Sequence, residues 1–233
     1  MRVRLATALS LAAVTALTLP ACSTDTTGAK TDTGSSARAG KSAGADQSAA
    51  PLSSGVLETR LLNESDLGSG YLRKPERPSQ HEDVTVIGCP ALNELGGDAA
   101  TGGSLAFPRQ AKTTFTYTDA SNSEVSEKLY SHSAGKLSDG IGRIFDAMTG
   151  CPTYQVVAGG TAIDMASQKL TAPHQLGDEQ WSLLLTFSIA GGQNTVVKQT
   201  AIRDGNVLLI ISGSAALVDR HLDKALVKAT AAS

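Results

Sequence analysis

Residues 55–233 are predicted to form an α+β domain, an antiparallel β-sheet with helices packed mainly on one face and one disulfide. Three observations carry that prediction. Trp181, Leu183, Leu185, Phe187 and Ile189 alternate with Ser182, Thr186 and Ser188, the period-2 pattern of a half-buried strand. Asp204-Gly205 between two β-prone runs is a hairpin signal, because glycine accepts the positive φ that tight hairpin turns need. Ala216, Leu217, His221, Leu222, Ala225, Leu226 and Ala229 recur at helical spacing and predict a closing amphipathic helix over the sheet. Helices and an antiparallel sheet in separate runs of sequence are the mark of the α+β class.

The chain before that domain has a different character. Arg2 and Arg4 precede an uncharged run from Leu5 to Leu19, about 15 residues, which is short of the roughly 20 that a spanning helix needs. Such a run suits the apolar core of a secretory signal. Leu19-Pro20-Ala21-Cys22 then reads as a lipobox, so residues 1–21 are expected to be a signal peptide and Cys22 the lipidated residue. Acyl chains on Cys22 would hold the protein at the outer, extracytoplasmic face of the cell membrane, since each buried CH₂ contributes roughly 0.8 kcal/mol. Residues 23–54 are almost entirely Ser, Thr, Gly, Ala, Asp, Lys and Arg, with balanced charge and Leu52 as the one large apolar side chain, so with Cys22 they are expected to form a tether over 22–54. A coil of that length spans on the order of 30 Å.

Within the domain, Val56, Leu57, Leu61 and Leu62 predict a short helix, and Asn63 to Leu67 before Gly68 a cap and turn. A helix is expected after Cys89-Pro90, ended by Gly96-Gly97. Leu105 to Phe107 and Thr113 to Thr118 read as strands. Val125, Leu129, Leu137, Ile141, Ile144, Phe145 and Met148 are spaced for helix from Ser123 to Met148, with Gly135 and Gly140 as breaks. Tyr154 to Val157 and Thr161 to Leu170 are strands joined at Gly159-Gly160, and Thr195 to Arg203 and Val207 to Ile211 complete the sheet.

Charge and cysteine content exclude several classes. The domain carries 15 basic and 19 acidic side chains, so it offers no basic field for nucleic acid. Cys89 and Cys151, each in Gly-Cys-Pro, are an even pair in an oxidising compartment and most simply form a disulfide. His81, His132, His174 and His221 lack HxxxH or HExxH spacing and read as surface or capping residues, and no cofactor is expected. Ser69 and Ser214 are outside any GxSxG, which leaves a serine hydrolase unsupported.

Leu61-Leu62, Asp66 to Tyr71, the two Gly-Cys-Pro sites, Gly177-Asp178-Glu179 before the Trp181 strand and the Asp204-Gly205 hairpin occur in an order that resembles a known group. These are actinobacterial surface lipoproteins sharing a domain with the extracellular sensor of PknH-type receptor kinases. The resemblance implies an α+β domain with a groove on the sheet and a sensing or binding role, with no established chemistry and no residue roles to carry over. The kinase sensor has two disulfides; Cys89 and Cys151 allow one here.

The candidate ligand-binding residues are Tyr154 and Trp181, aromatics suited to a groove, and Asp178 and Glu179, which could hold a cation or an amine. Core packing and an acidic turn are the structural readings of the same residues. The expected function is a non-catalytic, membrane-anchored binding module whose partners are the bilayer, through acylated Cys22, and an envelope ligand or membrane protein. The alternative is an envelope enzyme that draws carboxylates or a histidine together from distant positions.

Overall fold

The computed structural model describes residues 50–76, 84–96, 99, 107–118 and 123–231. The signal peptide, Cys22, the tether up to residue 49, His81 and the expected strand residues Leu105 and Ala106 lie outside the described residues.

The predicted α+β class, antiparallel sheet and disulfide are all observed. Among the described residues, nine strands form one sheet: β1 (Tyr71–Arg73), β2 (Val84–Ile87), β3 (Gln110–Tyr117), β4 (Glu124–Ser131), β5 (Thr153–Ala158), β6 (Thr161–Lys169), β7 (Glu179–Ile189), β8 (Thr195–Asp204) and β9 (Val207–Gly213). Their order is β1-β3-β4-β9-β8-β7-β6-β5-β2, with every pairing antiparallel. The shortest strands, β1 and β2, close the two edges, which limits the unpaired backbone a second chain could pair with. At the β8–β9 turn Asp204 pairs with Val207 around Gly205, whose φ is +56°, as Asp204-Gly205 predicts.

The helices are α1 (Ser54–Arg60), α2 (Glu64–Leu67), α3 (Pro90–Leu95), α4 (Ala134–Gly150) and α5 (Ala215–Ala229). Where the sequence reading places helices mainly on one face, they divide between both. The reason is visible in β9, whose run Val207 to Ile211 is buried throughout. Val207, Leu209 and Ile211 join a cluster with α1, α2 and α5, while Leu208 and Ile210 join another with α3 and α4. A strand that is apolar at successive positions has no solvated side and needs cover on both.

The helix expected over Ser123 to Met148 is a strand followed by a helix. Val125 and Leu129 are four apart, which suits a helical face, but four is also an even strand spacing. Val125, Glu127 and Leu129 therefore share one face of β4, and Tyr130 faces the other core. Gly135 and Gly140 do not break α4, which runs unbroken to Gly150. Gly140 instead makes room for Phe107, since a Cβ there would stand 2.9 Å from its ring.

Cys89 and Cys151 are bonded, with Cα atoms 5.7 Å apart. The bridge joins the N-cap of α3 to the C-cap of α4, beside the edge pairing of β2 with β5. Where the described chain begins, Ala50 to Ser54 is stitched to one end of the sheet. Ser131 Oγ receives the Leu52 N–H at 2.8 Å and donates to Asn206 O, and Asn206 Nδ2 donates to Ala50 O at 2.7 Å.

Candidate functional site

The loop between β6 and β7, residues 170–178, shapes the surface around which the candidate residues gather. Strand pairing alone does not hold it. Gly177 has a φ of +63° and passes so close to β8 that a Cβ would stand 2.7 Å from Arg203 O. Asp178 N–H donates to that same Arg203 carbonyl at 2.8 Å, Leu176 N–H to Gln180 Oε1 at 2.9 Å, and Gln175 Nε2 to Asp178 O at 2.8 Å. Gly177→Ala is expected to lower stability by about 1–3 kcal/mol, because it adds both an unfavourable φ and a backbone clash. Urea unfolding with an unchanged m-value would register it, and an equally stable variant would contradict the close approach.

On one side of this loop is a cleft of about 340 Å³, between the loop, the β7–β8 surface and α5. Its floor is a cross-strand hydroxyl pair, Ser182 Oγ and Thr200 Oγ1, 3.1 Å apart, both buried. Period 2 puts them there: even positions of β7 face α5, while Trp181 and Leu183 face α4. The walls carry Lys198 paired with Asp219, together with His174, Asp223 and the apolar Leu222. On the other side a depression of about 430 Å³ is lined by Gln175, Asp178, Glu179 and Trp181, with Ala172 and Gln180 common to both.

The structure brings Asp178, Glu179 and Trp181 together and places Tyr154 apart. Asp178 and Glu179 grip Arg203: Arg203 Nε donates to Glu179 Oε2 at 2.5 Å and its Nη1 to Asp178 Oδ2 at 2.8 Å. Asp178 also receives the Gly205 N–H at 2.9 Å, and Glu179 receives Ser138 Oγ from α4 at 2.9 Å. The acidic turn thus ties the β6–β7 loop, the β8–β9 hairpin and α4 into one clamp. The Gly205 N–H is the largest influence holding the Asp178 carboxyl below the usual carboxylate range; desolvation opposes it, and the Arg203 guanidinium adds to the lowering. Arg203→Met is expected to cost about 1–2 kcal/mol, an intermediate value for a half-exposed charge cluster. Its companion signature is an upward move of the Asp178 pKa, read by carboxyl NMR; an Asp178 pKa that stays put would show the clamp to be incidental.

Trp181 packs against Phe145 of α4, ring centroids 6.3 Å apart, while also lining the depression. Tyr154 belongs to the core beneath α4, and burial pushes its hydroxyl up to about 12. It also borders a shallow recess with Asp164 and Ser188 on the far half of the sheet.

Sequence reasoning missed the hydroxyl floor and the polar cluster under α1, α2 and α5. His221, read there as a surface or capping residue, is buried and its Nε2 is 2.6 Å from Tyr71 OH. Burial, with Arg220 and Lys224 nearby, keeps it below its ordinary pKa and hence neutral. Asp66 of α2 pairs with Lys228 of α5, and Glu127 of β4 is buried beside Thr113 of β3. Helical spacing places His221 on the sheet-facing stripe, but its partner Tyr71 lies 150 residues away, and at Glu127 the polar side chain obscured the strand pattern. Among the described residues no group of three His, Cys, Asp or Glu side chains could hold a metal ion, and no helix is long and apolar enough to cross a membrane.

No protein-family model matches the chain, and no curated protein does. Among solved structures it is similar to the extracellular domain of PknH from Mycobacterium tuberculosis, at 15% sequence identity and a TM-score of 0.56. The match covers 77% of this chain and 97% of that one. The likeness is one of fold, in the direction that the order of sequence motifs implies.

Proposed function

We propose that the chain is a lipid-anchored binding module on the outer face of the cell membrane, with a non-catalytic, sensor-like domain carried on the tether of residues 22–54. The observation that carries the binding reading is the cleft beside loop 170–178. On the cleft wall Lys198 is engaged by Asp219, and Asp223 is the lining charge without an ion pair among the described residues; Arg203 is held by Asp178 and Glu179 beyond the loop. The floor offers hydroxyl groups, and Leu222 and Pro173 offer apolar flanks. Such a lining suits a small polar ligand. Asp178, Glu179 and Trp181 form the adjoining part of the same surface.

Protein-observed NMR against soluble cell-envelope fractions tests the reading. Shifts concentrated at Gln180, Ser182 and Thr200, and abolished by Ser182→Leu, are the expected result; scattered shifts or none would sink it. The anchor has a separate test. Cys22→Ala is expected to move the protein from the membrane to the soluble fraction, and a variant that stays with membranes would refute lipidation at Cys22.

An enzymatic reading has one observation in its favour, because His174 and Asp223 line the same cleft. It requires turnover of an envelope fraction that His174→Ala and Asp223→Asn both abolish while binding at Ser182 and Thr200 persists. Lys198 and Asp219, paired with each other on the cleft wall, are held in a structural contact, which favours binding over chemistry.

A further inference from the structure

The face of the sheet beneath α1 and α2 contains a carboxyl that neither the cleft nor the Arg203 clamp uses. Glu127, on β4, is 2% exposed, amid the apolar side chains of Leu62, Phe115, Leu129 and Ile211. Its Oε2 accepts the Leu62 N–H at 2.7 Å, and Leu62 belongs to the short link between α1 and α2. Its Oε1 has no hydrogen-bond partner among the described residues. Neither does Oγ1 of Thr113, the residue directly opposite it on β3. Buried polar atoms are rarely left this way, and two on paired residues of one face call for a physical account.

Protonation supplies one. A neutral Glu127, opposite Thr113 on the same face, can donate from Oε1 to Thr113 Oγ1 while Oε2 keeps the Leu62 N–H, which would satisfy both orphans. An ionised Glu127 holds the Leu62 N–H more strongly but leaves a charge in apolar surroundings, and the desolvation cost is the larger of the two effects. The charged groups around it do little to compensate: Asp66 on α2 and Lys228 on α5 are paired with each other and act on Glu127 in opposite senses. Arg60 of α1 directs Nη1 to Ala229 O, and the facing residues of β3 and β9, Thr113 and Ile211, do not titrate.

We propose that Glu127 is a proton-held latch, which when protonated seats the α1–α2 segment on the sheet and when ionised loosens it. Burial pushes the carboxyl up to about 7, which brings its ionisation into the neutral range. The sheet itself is not the part that yields, because β4 is laddered on both sides by β3 and β9, whereas the link reaches Glu127 through one backbone N–H. The α1–α2 segment adjoins residues 50–54, which are stitched to one end of the sheet. This inference is independent of the cleft and of acylation at Cys22.

Hydrogen exchange by mass spectrometry on the full chain in neutral detergent, at pH 6, 7 and 8.5, tests it. Rates are corrected for intrinsic base catalysis, and the protection of residues 54–67 is compared between the wild type and Glu127→Gln at each pH. That protection is expected to fall up to about tenfold from pH 6 to 8.5 in the wild type. In Glu127→Gln, whose amide cannot ionise and can donate to Thr113, it is expected to stay level. Level protection of residues 54–67 in the wild type, or the same fall in the variant, would overturn the latch. Should Glu127→Gln not fold, the carbon-13 shift of the Glu127 carboxyl in the wild type decides. A titration that tracks the loss of protection upholds the proposal, and ionisation complete below pH 5 overturns it.

Discussion

Removing the Cys89–Cys151 bridge, by the double substitution Cys89→Ala and Cys151→Ala, is expected to lower the unfolding free energy by roughly 4 kcal/mol. The bridge closes a loop of 62 residues, and restricting an unfolded chain over that span is worth this much in the entropic account. In a domain of this size, that corresponds to a fall in Tm on the order of 10 °C. The structure says where the loss will show first. The bridge fastens α3 to the end of α4, and α3 follows β2, a four-residue edge strand paired only with β5. Exchange protection of residues 84–95 should therefore collapse before that of β7–β8–β9. A denaturation midpoint shifted by less than the equivalent of 1 kcal/mol, or uniform loss of protection across the sheet, would contradict this assignment.

Glu127→Gln is expected to gain about 3 kcal/mol on the wild type as pH rises from 4.5 to 7 and beyond. The carboxyl titrates near 4.5 when unfolded and at about 7 when folded, and each unit of difference is worth about 1.4 kcal/mol. Because the folded value is the higher one, the native state binds the proton more tightly across that interval. The contribution of Glu127 is thus full below pH 4.5, shrinks through the interval and is gone above pH 7. His221 works in the opposite sense: its folded pKa is lowered by burial, so its contribution is present above pH 6.5 and lost as pH falls. Asp66 and Asp178 also have lowered values and act only in the acid range. The wild-type curve mixes these groups, whereas the difference between wild type and Glu127→Gln isolates one. Urea midpoints from pH 4.5 to 8.5 would measure it, and a difference that does not change with pH would show Glu127 to be ionised throughout.

Most elements were legible in the sequence because their signals are local. The alternation of Trp181 to Ile189 is β7, Asp204-Gly205 is the β8–β9 turn, and Asn63 with Asp66 forms the capping box that Asn63 to Leu67 suggested. The strand at Glu124–Ser131 was not legible, because apolar residues four apart fit both periods and only pairing with β3 and β9 separates them. Edge strands β1 and β2 are three and four residues long, too short for any period to register.

The candidate site was legible to a lesser degree. Asp178, Glu179 and Trp181 do stand together at the mouth of β7, since they are neighbours in sequence, but the partner that holds the two carboxylates is Arg203, 25 and 24 residues away. The hydroxyl floor of the cleft depends on the register that sets Ser182 opposite Thr200, and Glu127 meets Leu62 across 65 residues of chain.

By itself the sequence determined the α+β class, the hairpins, the pairing of Cys89 with Cys151 and the expectation of an anchor at Cys22, because each follows from a residue pattern a few positions long or from parity. Only the tertiary structure decided which face each helix covers, that the Asp178–Glu179 turn is a clamp on Arg203, and that Glu127 is buried without a full set of partners. Those properties arise from strand register and burial, which bring together residues distant in the chain and set the dielectric around them.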